Sequence, residues 1–409
     1  MNSILQELAH QVNEACESTQ NSKRKELWIA HNNLESKGNV LINVHLWKMT
    51  DHHIWNDLVP DSQIKTMEKL ERMVETQLRR KLFKYIKLDD DDVIVPTIWI
   101  SPVMKDNGPQ FGIAQRLEKP GEAHGAYKYK TILKDIEDLQ KLSKPVLEID
   151  TAKTSEIINK LREITDGKLP VKVVTPSLQA APFELFAKLR DMGDFLFDFI
   201  DQPEFIHAAM EFFTECIIED HKRLDKLQGI EGLDPEVTWD CRVHYDRIED
   251  KDNIYSLKNS WTKIQAQSAS LISPKMYEEF IQPYNAKVAS LFGKVYYHGC
   301  EDLTEKAEII KNLPNLRRFH ISPWSNIEKI LEKLQKQFVY EICVHTANHL
   351  LVYNDKQICD DMYRLAKICK DRGVTADINI SDIENIDHNP DKLIRWSQMA
   401  REAVSKVNG

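Results

Sequence analysis

Apolar positions in the first 88 residues recur at helical spacing. In "DSQIKTMEKLERMVETQLRRKLFKY", Ile64, Met67, Leu70, Met73, Val74, Leu78 and Leu82 fall on one face of a 3.6-residue period. Asp61 or Ser62 would supply the N-cap. The run "DDDD" at 89–92 reads as a solvated turn, with an acidic metal cradle as the minor alternative. Beyond it the pattern changes. "VIVPTIWI" (93–100) and "PVKVVTP" (170–176) are β-branched and apolar, as buried strands are. The stretch between them is irregular and glycine-containing, long enough to act as a lid. Residues 203–228 predict a long amphipathic helix. From about residue 235 strand and helix alternate. "PEVTWDC", "KVYYH", "LRRFHIS", "FVYEICV" and "VTADINI" are the strands. "SPKMYEEFIQPYNAKVASLF", "EDLTEKAEIIKNL", "SNIEKILEKLQ", "DKQICDDMYRLAKICKDRG" and "NPDKLIRWSQMAREAVSKV" are the helices. Such alternation implies parallel strands with helices packed outside. The predicted fold class is α/β, a (β/α)8 TIM barrel over 91–409 with a helical N-terminal extension over 1–90. An open doubly wound sheet is the alternative, but no Gly-x-Gly-x-x-Gly turn follows any strand, which weakens a dinucleotide-binding reading.

Bulk properties narrow the function. The chain has 409 residues, 42% hydrophobic and 29% charged, as ordinary globular proteins do. A formal net charge of -9 argues against generic nucleic-acid binding, which needs a basic face. No apolar run approaches the roughly 18–20 residues that span a bilayer, and the N-terminus lacks the pattern of a secretory signal. Seven scattered cysteines, an odd number, fit a reducing cytoplasm better than a disulfide framework.

The chemistry collects where a barrel would place it, at the C-terminal ends of the strands. The strand at 236–241 ends in Asp240, Cys241 and, shortly after, His244. The following ones end in His298 and Cys300, in His320 and Ser322, and in Cys343 and His345. The last carries Asp377 and Asn379. Imidazole, thiolate and carboxylate arriving from several strands could build a tetrahedral Zn²⁺ site. In extended chain His298 and Cys300 point to one side and can converge. The competing reading of that pair is a loop histidine beside a buried cysteine. Tyr296, Tyr297, Trp239, Trp261 and Trp324 lie near strand ends, where they either pack the barrel or line a pocket. Asp240, His244, Tyr297 and Trp261 are the candidate substrate contacts.

Three segments, "WTKIQAQSASLISPKMYEEFIQPYNAKVASLFGKVYYHGCEDL", "NLRRFHISPWSNIEKILEKL" and "NPDKLIRWSQMAREA", resemble the uroporphyrinogen decarboxylase superfamily. The likeness is to its corrinoid-dependent methyltransferase-like members, covers roughly residues 75–407 and is most specific in 261–326. It implies a (β/α)8 barrel. It also implies zinc bound by a His-x-Cys after a barrel strand, matched by His298 and Cys300, and by a late Cys on the last strand. This chain has "TADINIS" there, so Asp377 is the nearest candidate. A related family carries a Glu on the strand after its His-x-Cys, a place held here by His320, and Cys343 is a further candidate. The implied activity moves a methyl group between a small methylated molecule or a thiol and the corrinoid (cobalamin) of a partner protein, with Zn²⁺ activating the sulfur, oxygen or nitrogen concerned.

Two other functions stay open at this level. One is a metal-free lyase acting on a polycarboxylate, as the decarboxylases do. It needs arginines at the mouth, for which Arg242, Arg247, Arg317 and Arg318 are candidates. The decarboxylases' Arg-Gln-Ala-Gly-Arg segment has no counterpart here. The other is a non-catalytic barrel that holds a corrinoid or tetrapyrrole. The N-terminal extension and the 101–130 loop would shape the mouth or a homodimer contact.

Overall fold

The computed structural model describes residues 2–36, 38–46, 54–118, 128–174, 177–226, 233–234 and 256–409. Its strands are β1 (Val40–Val44), β2 (Ile98–Ile100), β3 (Leu117–Glu118), β4 (Lys128–Tyr129), β5 (Val171–Val174), β6 (Leu233–Asp234), β7 (Trp261–Ile264), β8 (Lys294–Tyr297), β9 (Leu316–Ile321), β10 (Val339–Cys343) and β11 (Thr375–Ile380). Six of them form one sheet in the order β1-β11-β10-β9-β8-β7, and every pairing that joins them is parallel. β2, β5 and β6 form a second parallel sheet, and β3 pairs antiparallel with β4. The chain is thus α/β, with helices between successive strands from β7 to β11. The parallel ladders form two separate sheets. No ladder among the described residues joins β1 to β2 or β6 to β7, so hydrogen-bonded closure into a cylinder is not part of what they show.

β1 lies inside the segment read as helical. Its five residues are all buried, and it pairs with β11 from Val40↔Ala376 to Val44↔Ile380. Its other edge pairs with no strand among the described residues. The acidic run expected to be a solvated turn lies there instead. Asp91 Oδ2 accepts from the Ile42 amide at 2.8 Å and Asp90 Oδ2 from the Val44 amide at 3.0 Å. The Asp91 amide returns a bond to the Ile42 carbonyl at 2.9 Å. Both aspartates are buried, because edge N–H groups taken out of water need acceptors and no neighbouring strand supplies them. Asp89 and Asp91 are paired by Arg401, and Asp92 by Lys84.

The helices follow local chemistry. Asn354 and Gln357 form a capping box at the start of Asp355–Arg372, which ends at Gly373 in the left-handed region. Ser273 caps Pro274–Phe280. The single helix expected over 273–292 is split at Ile281, because Pro283 cannot donate to the preceding turn. Of "VIVPTIWI" only Ile98–Ile100 is strand, after Pro96. The strand expected at 236–241 lies outside the described residues. One hydrophobic core spans the outer face of the six-stranded sheet and its helices. A second joins Ser3–Glu17, Lys69–Lys87 and Thr151–Ile164 to β2 and β5.

Candidate metal centre

Side chains alternate along a strand, so one face of β8–β11 turns to the helices and the other inward. Val295, Tyr297, Phe319, Ile321, Tyr340, Ile342, Ala376 and Ile378 take the outer face and join the main core. The inner face is polar. Register sets the rows. Lys263, Tyr296, Arg318 and Val339 are neighbours across β7–β10, and His320, Glu341, Asp377 and Leu41 across β9, β10, β11 and β1. His298 comes one residue beyond the Tyr297↔Phe319 pair. A bulge places it: Val295 faces Leu316 but Tyr296 faces Arg318, so β9 carries Arg317 as an extra residue. With regular pairing His298 would come beside Phe319. With the bulge it comes beside His320.

The result is a buried group of two imidazoles and a carboxylate. One ligand atom each from His298, His320 and Glu341 lie within 4.8 Å of one another, so the three could hold a metal ion. The two rings are 4.3 Å apart, centroid to centroid. His320 Nδ1 is 3.2 Å from Glu341 Oε2. The hydroxyl of Tyr296 lies 2.9 Å from His298 Nδ1 and 3.2 Å from His320 Nδ1, and it donates to Glu341 Oε2. Burial, then the nearby His320, Lys263 and His45, push the His298 pKa well below the usual histidine range. Burial, then Lys263 and Arg318, push His320 down to about 3. Both imidazoles are neutral at neutral pH and have a lone pair to offer.

A charged floor supports the group. Asn379 Nδ2 donates to Glu341 Oε1 at 2.6 Å and to Asp377 Oδ2 at 2.9 Å. Arg318 Nη2 donates to Asp377 Oδ2 at 2.6 Å and lies 3.4 Å from Glu341 Oε1. His31, from the helix Thr19–Asn32, reaches Asp377 Oδ1 at 2.9 Å. Burial opposes ionisation of Asp377, but Arg318 and His31 outweigh it and hold the carboxylate below its usual range.

The residues singled out from sequence land in different places. His298 and His320 meet. Cys300 Sγ lies 3.5 Å from His298 Nε2, the ring nitrogen away from Tyr296, and 3.9 Å from Asp382 Oδ2. Burial first, then Asp382 and Glu301, raise its thiol to about 12, so it is protonated at neutral pH. Cys343 is buried against Ser381, Sγ to Oγ 3.4 Å, and its thiol is likewise pushed well up by burial. Asp377 sits in the row of Glu341 but gives its oxygens to His31, Arg318 and Asn379. Tyr297, expected at the substrate pocket, has the opposite strand parity to His298. It faces the helix layer, where its hydroxyl accepts from Tyr277 at 2.9 Å. Trp261 packs on Tyr296. Asp240 and His244 lie outside the described residues, as do Arg242 and Arg247. Arg318 is committed to the floor, and Arg317 Nη1 donates to the Asn32 carbonyl at 3.1 Å.

Sequence reasoning missed Glu341 and gave Tyr296 only barrel packing or pocket lining. The signal for Glu341 was present, since a lone carboxylate inside "FVYEICV" has to find a partner once buried. Tyr296 gave no such signal, because aromatic residues fill most strand interiors.

No family model matches the sequence, and no curated protein does. Among solved structures the chain is similar to a methyltransferase from Methanosarcina mazei, with a TM-score of 0.50 and 12% identity. The match covers 93% of this chain and 98% of that one. At that identity the likeness concerns the fold. No helix among the described residues is long and apolar enough to cross a membrane.

Proposed function

We propose that this chain is a zinc-dependent methyltransferase. In this reading the two parallel sheets belong to one (β/α)8 cylinder, and the group at its inner face works on a methyl group exchanged with a corrinoid-bearing partner protein. The observation that carries the proposal is the convergence of His298, His320 and Glu341 from three adjacent strands, buried, with both imidazoles neutral. Two nitrogens and a carboxylate oxygen form a donor set that Zn²⁺ accepts, and Asn379 and Arg318 hold the carboxylate in place. The fold shared with the M. mazei methyltransferase supports the reaction class.

Bound zinc would supply Lewis acidity toward a thiol, ether, thioether or amine. The chain's own residues orient and exclude. The floor of Arg318, Asp377 and His31 closes the inner side to water. Cys300 keeps its thiol proton beside His298 Nε2. Exposed Leu271 and Trp324, in the loops after β7 and β9, offer apolar surface at the strand ends for a partner domain.

The test is metal content of the purified full chain. About one zinc per chain is expected, falling to background in His320→Ala and Glu341→Gln and remaining in Cys300→Ser. The zinc-loaded protein should also change the visible spectrum of methylcob(III)alamin when a thiol is supplied. A wild-type chain that binds no divalent metal would overturn the proposal.

A further inference from the structure

We infer that the phenol of Tyr296 is a fourth ligand to the cation held by His298, His320 and Glu341. This rests on the metal reading above and concerns which of the chain's groups complete the site. Groups that merely orient a ligating histidine bond its other ring nitrogen, the one turned away from the metal. Tyr296 does the reverse. Its hydroxyl addresses Nδ1 of both rings, at 2.9 and 3.2 Å, and His320 Nδ1 is the same atom that lies 3.2 Å from Glu341 Oε2. The outer position on His298 is filled by another residue, Cys300, 3.5 Å from Nε2. Geometry therefore gives Cys300 the orienting place and Tyr296 the inner one, opposite to the division of labour that the His-x-Cys spacing suggests.

Strand parity explains the exchange. Tyr296 and His298 are two apart, so both enter the same face, and Tyr296 lies deeper, beside Arg318. The phenol is fully buried and makes three polar contacts, to both imidazoles and to Glu341, the most that one proton and two lone pairs allow. The Arg318 guanidinium stands 5.6 Å from the centre of its ring. On coordination the O–H bond breaks, its proton leaves to solvent, and the oxygen's electron pair goes to the cation. Two nitrogens and two oxygens would then hold the cation without thiolate.

Copper(II) reports a phenolate ligand directly, through a phenolate-to-metal charge-transfer band. The full chain would be stripped with chelator, loaded with one equivalent of Cu²⁺ and read by visible absorption and electron paramagnetic resonance. The wild type should show the band together with nitrogen hyperfine structure. Tyr296→Phe, which keeps the ring that packs on Trp261, should lose the band and keep the nitrogen signal, with zinc affinity at least about 10-fold weaker. Cys300→Ser should keep both signals. Copper bound by the wild type without the band, or a band that survives in Tyr296→Phe, overturns the inference and leaves the metal reading standing. Failure of the wild type to bind copper or zinc overturns both.

Discussion

Two regions of this molecule bury charge, and they do so in opposite ways. In the helical layer two buried charges, Glu75 and Lys81, each have partners of their own. Glu75 on the helix Lys69–Lys87 accepts from the amides of Lys65 and Thr66, the Thr66 hydroxyl and Arg79. Lys81 gives its ammonium to the Val95 carbonyl. On the inner face of β8–β11 the partners are shared and the accounts do not close. Tyr296, His298, His320 and Glu341 crowd one point, while Nε and Nη1 of Arg318, Nδ1 of His31 and Oδ1 of Asn379 have no hydrogen-bond partner. Buried polar atoms without partners cost free energy, so such an arrangement is poor for stability and persists where a site is needed. The helical layer is built to stay folded, and the strand interior is built to hold something.

The contrast can be tested in descending order of effect. Arg318→Met leaves Asp377 and Glu341 buried without their cation. It should cost about 3–5 kcal/mol in urea unfolding, and Arg318→Met with Asp377→Asn should recover part of that loss. A cost near zero would mean the floor is not a charge network. Next is Lys81, whose pKa is lowered by burial from 10.5 to about 8. The unfolded chain keeps that proton up to its ordinary pKa, while the folded chain sheds it from about 8. Between those values the unfolded state binds more protons, so this lysine makes stability rise with pH, by about 3 kcal/mol over the window. Unfolding free energies of wild type and Lys81→Met, measured at pH 8 and 10.5, should differ in slope by that amount. Parallel slopes would place Lys81 in water. Glu75→Gln should cost about 2 kcal/mol, as loss of charge-assisted hydrogen bonds does. Cys300→Ser should shift the urea midpoint least, by the equivalent of about 0.5 kcal/mol or less, because the thiol's contacts are long and its neighbours keep other partners.

How much of this was legible depends on the range of the interaction that decides each residue. β9, β10 and β11 were readable from their apolar runs. His298 and His320 stood out because histidines at successive strand ends are uncommon in a packing pattern. β1, "VLINV", was hidden because five residues between helices carry too little period to separate strand from turn. The aspartates at 89–92 read as solvated, since nothing local reveals that their partners are amides more than forty residues earlier. Which ring nitrogen of His298 meets Tyr296 and which meets Cys300 is set by the direction of one imidazole, which composition does not encode.

The aspartate edge of β1 has a consequence for how the protein moves. Along this strand and the residue after it, neighbouring amides are tied to different things: His45 continues the pairing with β11 by donating to the Ile380 carbonyl, whereas Ile42 and Val44 donate to single carboxylates. A ladder yields as a unit, but two side chains can let go separately. Alternate amides of β1 are thus natural timers for breathing of the whole assembly, with Ile42 and Val44 keeping the faster clock in hydrogen exchange.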